Sequence, residues 1–270
     1  MTSDQIDKPA PTDTPLSFNP FNTANVLMHA GSFSPDLKNY YLTISDPNFE
    51  QFDIYTTQFQ DGKWKGTEKA FFNSDYNDHG AKFSPEGRAL YFASTRPTGV
   101  PGIADTWHLW RSELKDKQWS TPEFLNIPGL ENKLTSHPTI SELGTLFFHV
   151  SNPDYSEMSI YYARQKDGQF IDPKPFPPLT GVDYMSCTPF VAPDESYLLF
   201  ARIGTSLDLM ISRKDEKGKW SDPKPLNEKV NQQGQGNPYV TPDGKYLFYT
   251  TGSGNEGWKV NWILKDSALD

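Results

Sequence analysis

The stretch FSPEGRALYFASTR at residues 83–96 decides the fold. Its Pro-Glu-Gly core is hairpin-turn chemistry, set between an apolar residue and the β-type run Ala89 to Ala93. The unit recurs as FSPDL at 33–37, ISELG at 140–144, VAPDE at 191–195 and VTPDG at 240–244, spaced by 50, 57, 51 and 49 residues. A short apolar run follows each turn, so every unit opens with two antiparallel strands. A third run carries Tyr55, Trp110, Tyr161, Ile211 and Trp262. Nine residues later the first four units place Trp64, Trp119, Phe170 and Trp220 after a polar turn, which marks an outer strand. These tryptophans repeat with the units and are expected in the blade core.

The fifth unit ends before it can make an outer strand, and the other end of the chain supplies one. Pro15 followed by Phe18-Asn19 matches Pro122 followed by Leu125-Asn126 and Pro223 followed by Leu226-Asn227. The sequence therefore predicts an all-β, five-bladed β-propeller of four-stranded antiparallel blades, its last blade closed by the N-terminal strand. Residues 14–270 form this one domain in that reading, and residues 1–13 a loose, disordered polar tail. Such a tail suits a lipoprotein tether and a cytosolic chain equally.

The patterns FSPEGRALYFASTR at 83–96, KDKQWSTPEFLN at 115–126 and VTPDGKYLFYTTG at 240–252 resemble the WD40-like PD40 repeat of TolB-type propellers, over residues 14–265. The resemblance implies the architecture and an address that is often periplasmic or extracellular. It carries over no catalytic residue, because relatives include binding scaffolds, lipoproteins and enzymes. Leu37 stands where the repeat has glycine, and Glu142-Leu143 replace Pro-Asp in the third turn.

Composition agrees with this class. Aromatics make up 14 % of 270 residues, with 19 Gly and 23 Pro, too aromatic for a disordered chain and too rich in turn formers for a helical bundle. A formal net charge of −9 repels phosphate backbones, which argues against nucleic acid as a partner. No apolar window is long enough to span a bilayer, so the chain is expected to be soluble. Cys187 is the single cysteine, and no intrachain disulfide framework exists. No secretory signal opens the chain, so one is expected to be absent or already removed.

Propeller ligands meet the face where the innermost strands begin. There, aligned columns read His29, His79, Ser136, Cys187, Gly236 and, one place on, Ala30, Gly80, His137, Thr188, Asn237. Three of five histidines fall in these ten positions. Imidazoles from separate blades suit Zn, Cu, Ni or Fe, with Cys187 a further ligand and Asp78 or Asp183 orienting a ring; polar packing is the competing reading. Loops on the same face offer Phe49, Arg96, Tyr155, Arg202 and Trp258 for a sugar, a peptide or an aromatic acid, Arg96 and Arg202 being equally suited to structural salt bridges. His149 and His108 are expected as structural residues.

Three functions compete. The first is a non-catalytic scaffold holding a small ligand or partner segment at the channel mouth. The second is a metal-dependent enzyme with histidine ligands and an open coordination position. The third is a carbohydrate-active propeller using Asp78 and Asp183 as paired carboxylates. The sequence holds no GxSxG, P-loop, dinucleotide glycine pattern or HExxH.

Overall fold

A computed structural model describes residues 1–7, 9–21, 26–232, 234–252 and 257–269. Five antiparallel sheets follow one another along the chain as the blades of a propeller. Their innermost strands are Leu27–Phe33, Asp78–Phe83, Leu134–Ile140, Met185–Val191 and Gln235–Val240. Each of the five expected turns joins such a strand to the next. The turns close with i to i+3 backbone bonds onto Leu37, Gly87, Gly144, Glu195 and Gly244, and all five of these residues have positive φ.

Leu37 and Glu195 thus hold a left-handed conformation that favours glycine, and each is compensated. Leu37 is buried in the core at 2 % exposure. The Glu195 carboxylate accepts from Ser141 Oγ at 2.8 Å and from Lys214 Nζ at 2.5 Å, so this turn is fastened to the preceding blade.

Outer strands are the variable part. Blades one and three carry continuous ones, Lys63–Lys69 and Gln169–Pro175, whereas blade two splits its own into Gln118–Trp119 and Glu123–Phe124 around Pro122. Blade three has Pro173 at the matching place, and there the strand continues through a shift in register between Tyr162 and Arg164. In blade five the outer strand is Leu16–Ser17, which pairs antiparallel with Trp258–Leu264 in the register Leu16 to Trp262. The ring closes as the sequence predicts.

Phe18 locks the closure. Its amide donates to Val260 O at 2.9 Å, and its ring, 1 % exposed, meets Tyr40, Phe248 and Trp262 with centroids 5.1 to 5.7 Å away. First and last blades therefore share one aromatic core. The opening residues, expected as a loose tail, lie against the same seam. Ser3–Gln5 form one 3-10 turn, the Ser3 amide and hydroxyl both donate to Asp243, and Ile6 is 1 % exposed. Ile6 is the one strongly apolar side chain in a polar segment, and it finds the edge of this core. Among the described residues no helix is long and apolar enough to cross a membrane.

The inner strands share one irregularity that shapes the channel. Pairing with the second strand breaks between His29 and Ser32, His79 and Lys82, Ser136 and Thr139, Cys187 and Phe190, and Gly236 and Tyr239. At each break one residue has positive φ: Ala30 at 53°, Gly80 at 71°, His137 at 49°, Thr188 at 49° and Asn237 at 51°. These are β-bulges, which bend a strand and re-aim its side chains.

Truncating the closure residue is expected to be costly. Phe18→Ala should lower unfolding free energy by about 3–5 kcal/mol, the range for removing a buried aromatic, as read from urea denaturation followed by tryptophan fluorescence.

Candidate functional site

Four of the five histidines gather where the inner strands begin. His29 and His79 precede the bulges of blades one and two, His137 occupies the bulge of blade three, and His149 lies on the neighbouring second strand opposite Ser136. The ring centroids of His79 and His137 are 4.5 Å apart, and those of His137 and His149 6.1 Å. The offset of His137 by one column does not turn it away, because the left-handed bulge carries its ring back onto His79. Gly80, at the matching bulge of blade two, lies against His137: a Cβ there would stand 3.9 Å from its ring, in ordinary contact, so what favours glycine at this position is its φ of 71°.

Ser136 links two of the imidazoles. Its Oγ lies 2.9 Å from His137 Nδ1 and 3.0 Å from His149 Nδ1. One hydroxyl has one hydrogen to donate, so the second ring must donate its own Nδ1–H to the serine oxygen. The other nitrogens are less well served. His29 Nε2, His79 Nδ1, His149 Nε2 and, on blade five, Asn237 Oδ1 are buried without a hydrogen-bond partner.

Burial keeps these rings neutral. It pushes His29 and His149 from the ordinary 6.5 down to about 4 and His79 down to about 3, and it lowers His137 as well. Mutual repulsion adds to the effect: His29, His149 and Lys82 all disfavour a proton on His79.

An arc of aromatic rings lies beside the imidazoles. Trp258 meets Phe49 edge-on at 6.3 Å, Phe49 meets Phe52 at 6.2 Å, and Phe52 meets Trp107 edge-on at 5.5 Å. Trp107 packs on His79 at 4.4 Å, and Phe52 on His29 at 5.8 Å. At the end of the arc Tyr155 stands beside Trp107, and burial pushes its phenol above the ordinary value. Phe49 and Tyr155 keep 45 % and 46 % of their surface exposed. Phe49 and Tyr155 also hold left-handed backbone, at φ 58° and 61°.

The remaining expected residues divide sharply. Asp78 is fully buried: it accepts from Arg96 Nη2 at 2.6 Å and from the Ser74 amide and hydroxyl at 2.7 and 2.8 Å. Arg96 also donates to Phe72 O and Ser94 Oγ and stacks between Phe92 and Trp110. Asp78 and Arg96 are thus one structural unit. Asp183 is exposed on a separate groove of about 440 Å³ between blades three and four, beside Tyr184. Arg202 pairs with Asp208 and lies over the Tyr184 ring. Cys187 is half-buried, and burial pushes its thiol up to about 12, so in the absence of a bound cation it is a neutral thiol. Loop residues 253–256, ahead of Trp258, lie outside the described residues. Among the described residues no three His, Cys, Asp or Glu side chains are grouped so that one ion would meet them all.

Sequence reading missed His149, Phe52 and Trp107 as members of this site, and also Lys82, which lies deeper on the channel axis. The Pro residues that follow the bulge in HPT, TPF and NPY were the available signal for the kink, since proline inside a strand marks such a break.

The chain matches no family model and no curated protein sequence. Solved structures resemble it in fold. TolB from Acinetobacter baumannii superposes with a TM-score of 0.55 at 15 % identity over 87 % of this chain and 54 % of TolB, so the chain spans about half of that relative. The α-L-arabinofuranosidase PaAbf62A from Podospora anserina gives 0.57 at 12 % identity, covering 93 % of this chain and 96 % of that one. A gluconolactonase from Xanthomonas campestris gives 0.50 at 13 %, covering 94 % and 95 %. These likenesses are of fold, and their activities differ from one another.

Neutral buried histidines make stability depend on pH with a definite sign. The unfolded chain takes protons below about pH 6.5 and the folded site refuses them until about pH 4, so stability is complete above 6.5 and falls as pH drops through that window. Each histidine contributes a slope of about 1.4 kcal/mol per pH unit. Urea midpoints between pH 7 and 5 should fall steeply, and His149→Gln should reduce the slope by one proton's worth.

Proposed function

We propose that this protein is a non-catalytic binding propeller whose channel mouth holds a small neutral polyhydroxy ligand of the sugar-ring type. The observation that carries this reading is the set of partnerless buried polar atoms, His29 Nε2, His79 Nδ1, His149 Nε2 and Asn237 Oδ1, beside an aromatic arc that stays partly exposed at Phe49 and Tyr155. Buried polar atoms in a folded protein are nearly always satisfied, so a group of them at one mouth asks for a ligand. Neutral imidazoles each offer one donor and one acceptor, which suits hydroxyls, and aromatic faces suit the apolar side of a ring. Hydrolysis by two carboxylates is the less favoured use, because Asp78 is consumed by Arg96 and Ser74, which leaves Asp183 without a partner. A periplasmic or extracellular address rests on the TolB-type resemblance.

A transition metal at the same mouth is the second reading. It is favoured by the contact of His79 with His137 at 4.5 Å and by the open nitrogens of His29 and His79, which are neutral as metal ligands must be. Zn, Cu, Ni or Fe held there with an open position would polarise a substrate or activate water.

Saturation-transfer NMR with L-arabinose, D-galactose and D-glucose tests the first reading. At least one sugar should bind, and Phe49→Ala and His79→Leu should each weaken it about tenfold, ~1.4 kcal/mol. Failure of all three sugars, or binding unchanged in both variants, overturns it. Elemental analysis after incubation with the four metals decides the second reading: near-stoichiometric metal that is lost in a His29→Ala, His79→Ala double variant would establish it, and no metal would dismiss it.

A further inference from the structure

The channel does not run through the ring. Halfway along it the five bulge residues, with Pro138, Pro189 and Pro238 behind them, leave a void of only about 10 Å³. Beyond this plug, on the face of the hairpin turns, the axis opens again into a cavity of about 160 Å³. All five blades line it, and its walls include Phe33, Phe190 and Tyr239.

Two residues after each bulge the aligned column reads Ser32, Lys82, Thr139, Phe190 and Tyr239. One of these five axial positions carries a full charge. Lys82 is 8 % exposed, lines both the plug and the cavity, donates from Nζ to Gly31 O at 2.8 Å and lies 4.8 Å from the Tyr239 ring centre. No carboxylate within salt-bridge distance of it is found among the described residues. A buried ammonium held by one carbonyl and one ring is poorly compensated, and burial pushes Lys82 down to about 7. The groups around it are His79 and His137 from the mouth side, Tyr239 from blade five and the exposed Glu142 at the rim. Thr139 adds a donor: its Oγ1 accepts the Val191 amide at 3.3 Å, which leaves the hydroxyl hydrogen free.

We infer that the hairpin-face cavity is a second ligand site, which takes a small apolar monocarboxylate with its carboxylate on Lys82 and its hydrocarbon part between Phe33, Phe190 and Tyr239. Charge, walls and size agree on this class. A cavity of about 150 Å³ lined by apolar side chains accepts benzene, so this one is matched to a branched short-chain or monocyclic acid. A charge-assisted bond made away from water is among the stronger polar contacts, and the ligand would supply the anion the ammonium lacks.

Calorimetric titration with isovalerate, benzoate and the neutral analogue benzamide tests this. At pH 6 at least one acid should bind, with benzamide at least tenfold weaker. Lys82→Met, of similar length and without the charge, should abolish acid binding and melt no lower than the parent. Phe190→Trp keeps Lys82 but fills the cavity and should abolish binding as well. Affinity should fall about tenfold per pH unit above pH 7, as Lys82 loses its proton. Failure of both acids to bind, equal binding of benzoate and benzamide, or acid binding that survives in Lys82→Met or in Phe190→Trp overturns the inference.

Discussion

Five inner strands converge on one axis, and the left-handed bulge in each of them is the constraint from which the rest of the molecule follows. A regular strand would point alternate side chains down the channel along its whole length. The bulge divides each strand instead, so the half before it serves the mouth and the half after it serves the opposite cavity. It also frees backbone donors, which neighbouring blades capture. Gly80 N donates to Thr43 Oγ1 at 3.0 Å, and Asn237 N to Thr188 Oγ1 at 3.2 Å. Thr188 holds φ of 49° although β-branched residues resist that region, and this bond from blade five is part of what keeps it there. Proline follows the bulge in blades three to five, where it leaves no amide to satisfy.

A ring of repeated units also has to end without exposing a strand edge, and aromatic packing solves this. Phe18 enters from the far end of the chain and completes a cluster with Phe33, Tyr40, Phe248 and Trp262. On the hairpin side the seam between blades one and five is held by Tyr239, whose hydroxyl accepts the Phe33 amide at 3.1 Å. Tyr239 is the same residue that walls the cavity near Lys82. Closure of the ring and the shape of its deep pocket thus share a side chain.

The architecture was legible because it rests on local signals repeated five times. The Pro-Asp-Gly turns name the hairpins, and Phe18 could be placed by matching Pro15 to Pro122 and Pro223. Histidine columns could be aligned by the same rule. What escaped the sequence depends on contacts between blades. Arg96 and Asp78, eighteen residues apart, look like independent mouth residues until the fold stacks Arg96 on Trp110 and buries their ion pair. His149 occupies a core column, and only the register opposite Ser136 brings it to the other rings. Lys82 reads as an ordinary polar position on an alternating strand, because alternation cannot tell solvent from a closed channel.

The two ends of the axis are chemically opposed, and the plug is what permits this. On one side burial keeps the imidazoles neutral, and the positive charge of Lys82 adds to this at His79 and His137. On the other, a single ammonium is kept among rings. Lys82 itself disfavours protons on His79 and His137, so the two ends are coupled through their charges although no open path joins them. A protonated Lys82 therefore helps to keep His79 and His137 neutral. His137 belongs to the plug itself, so one side chain contributes both to the closed section and to the imidazole group at the mouth.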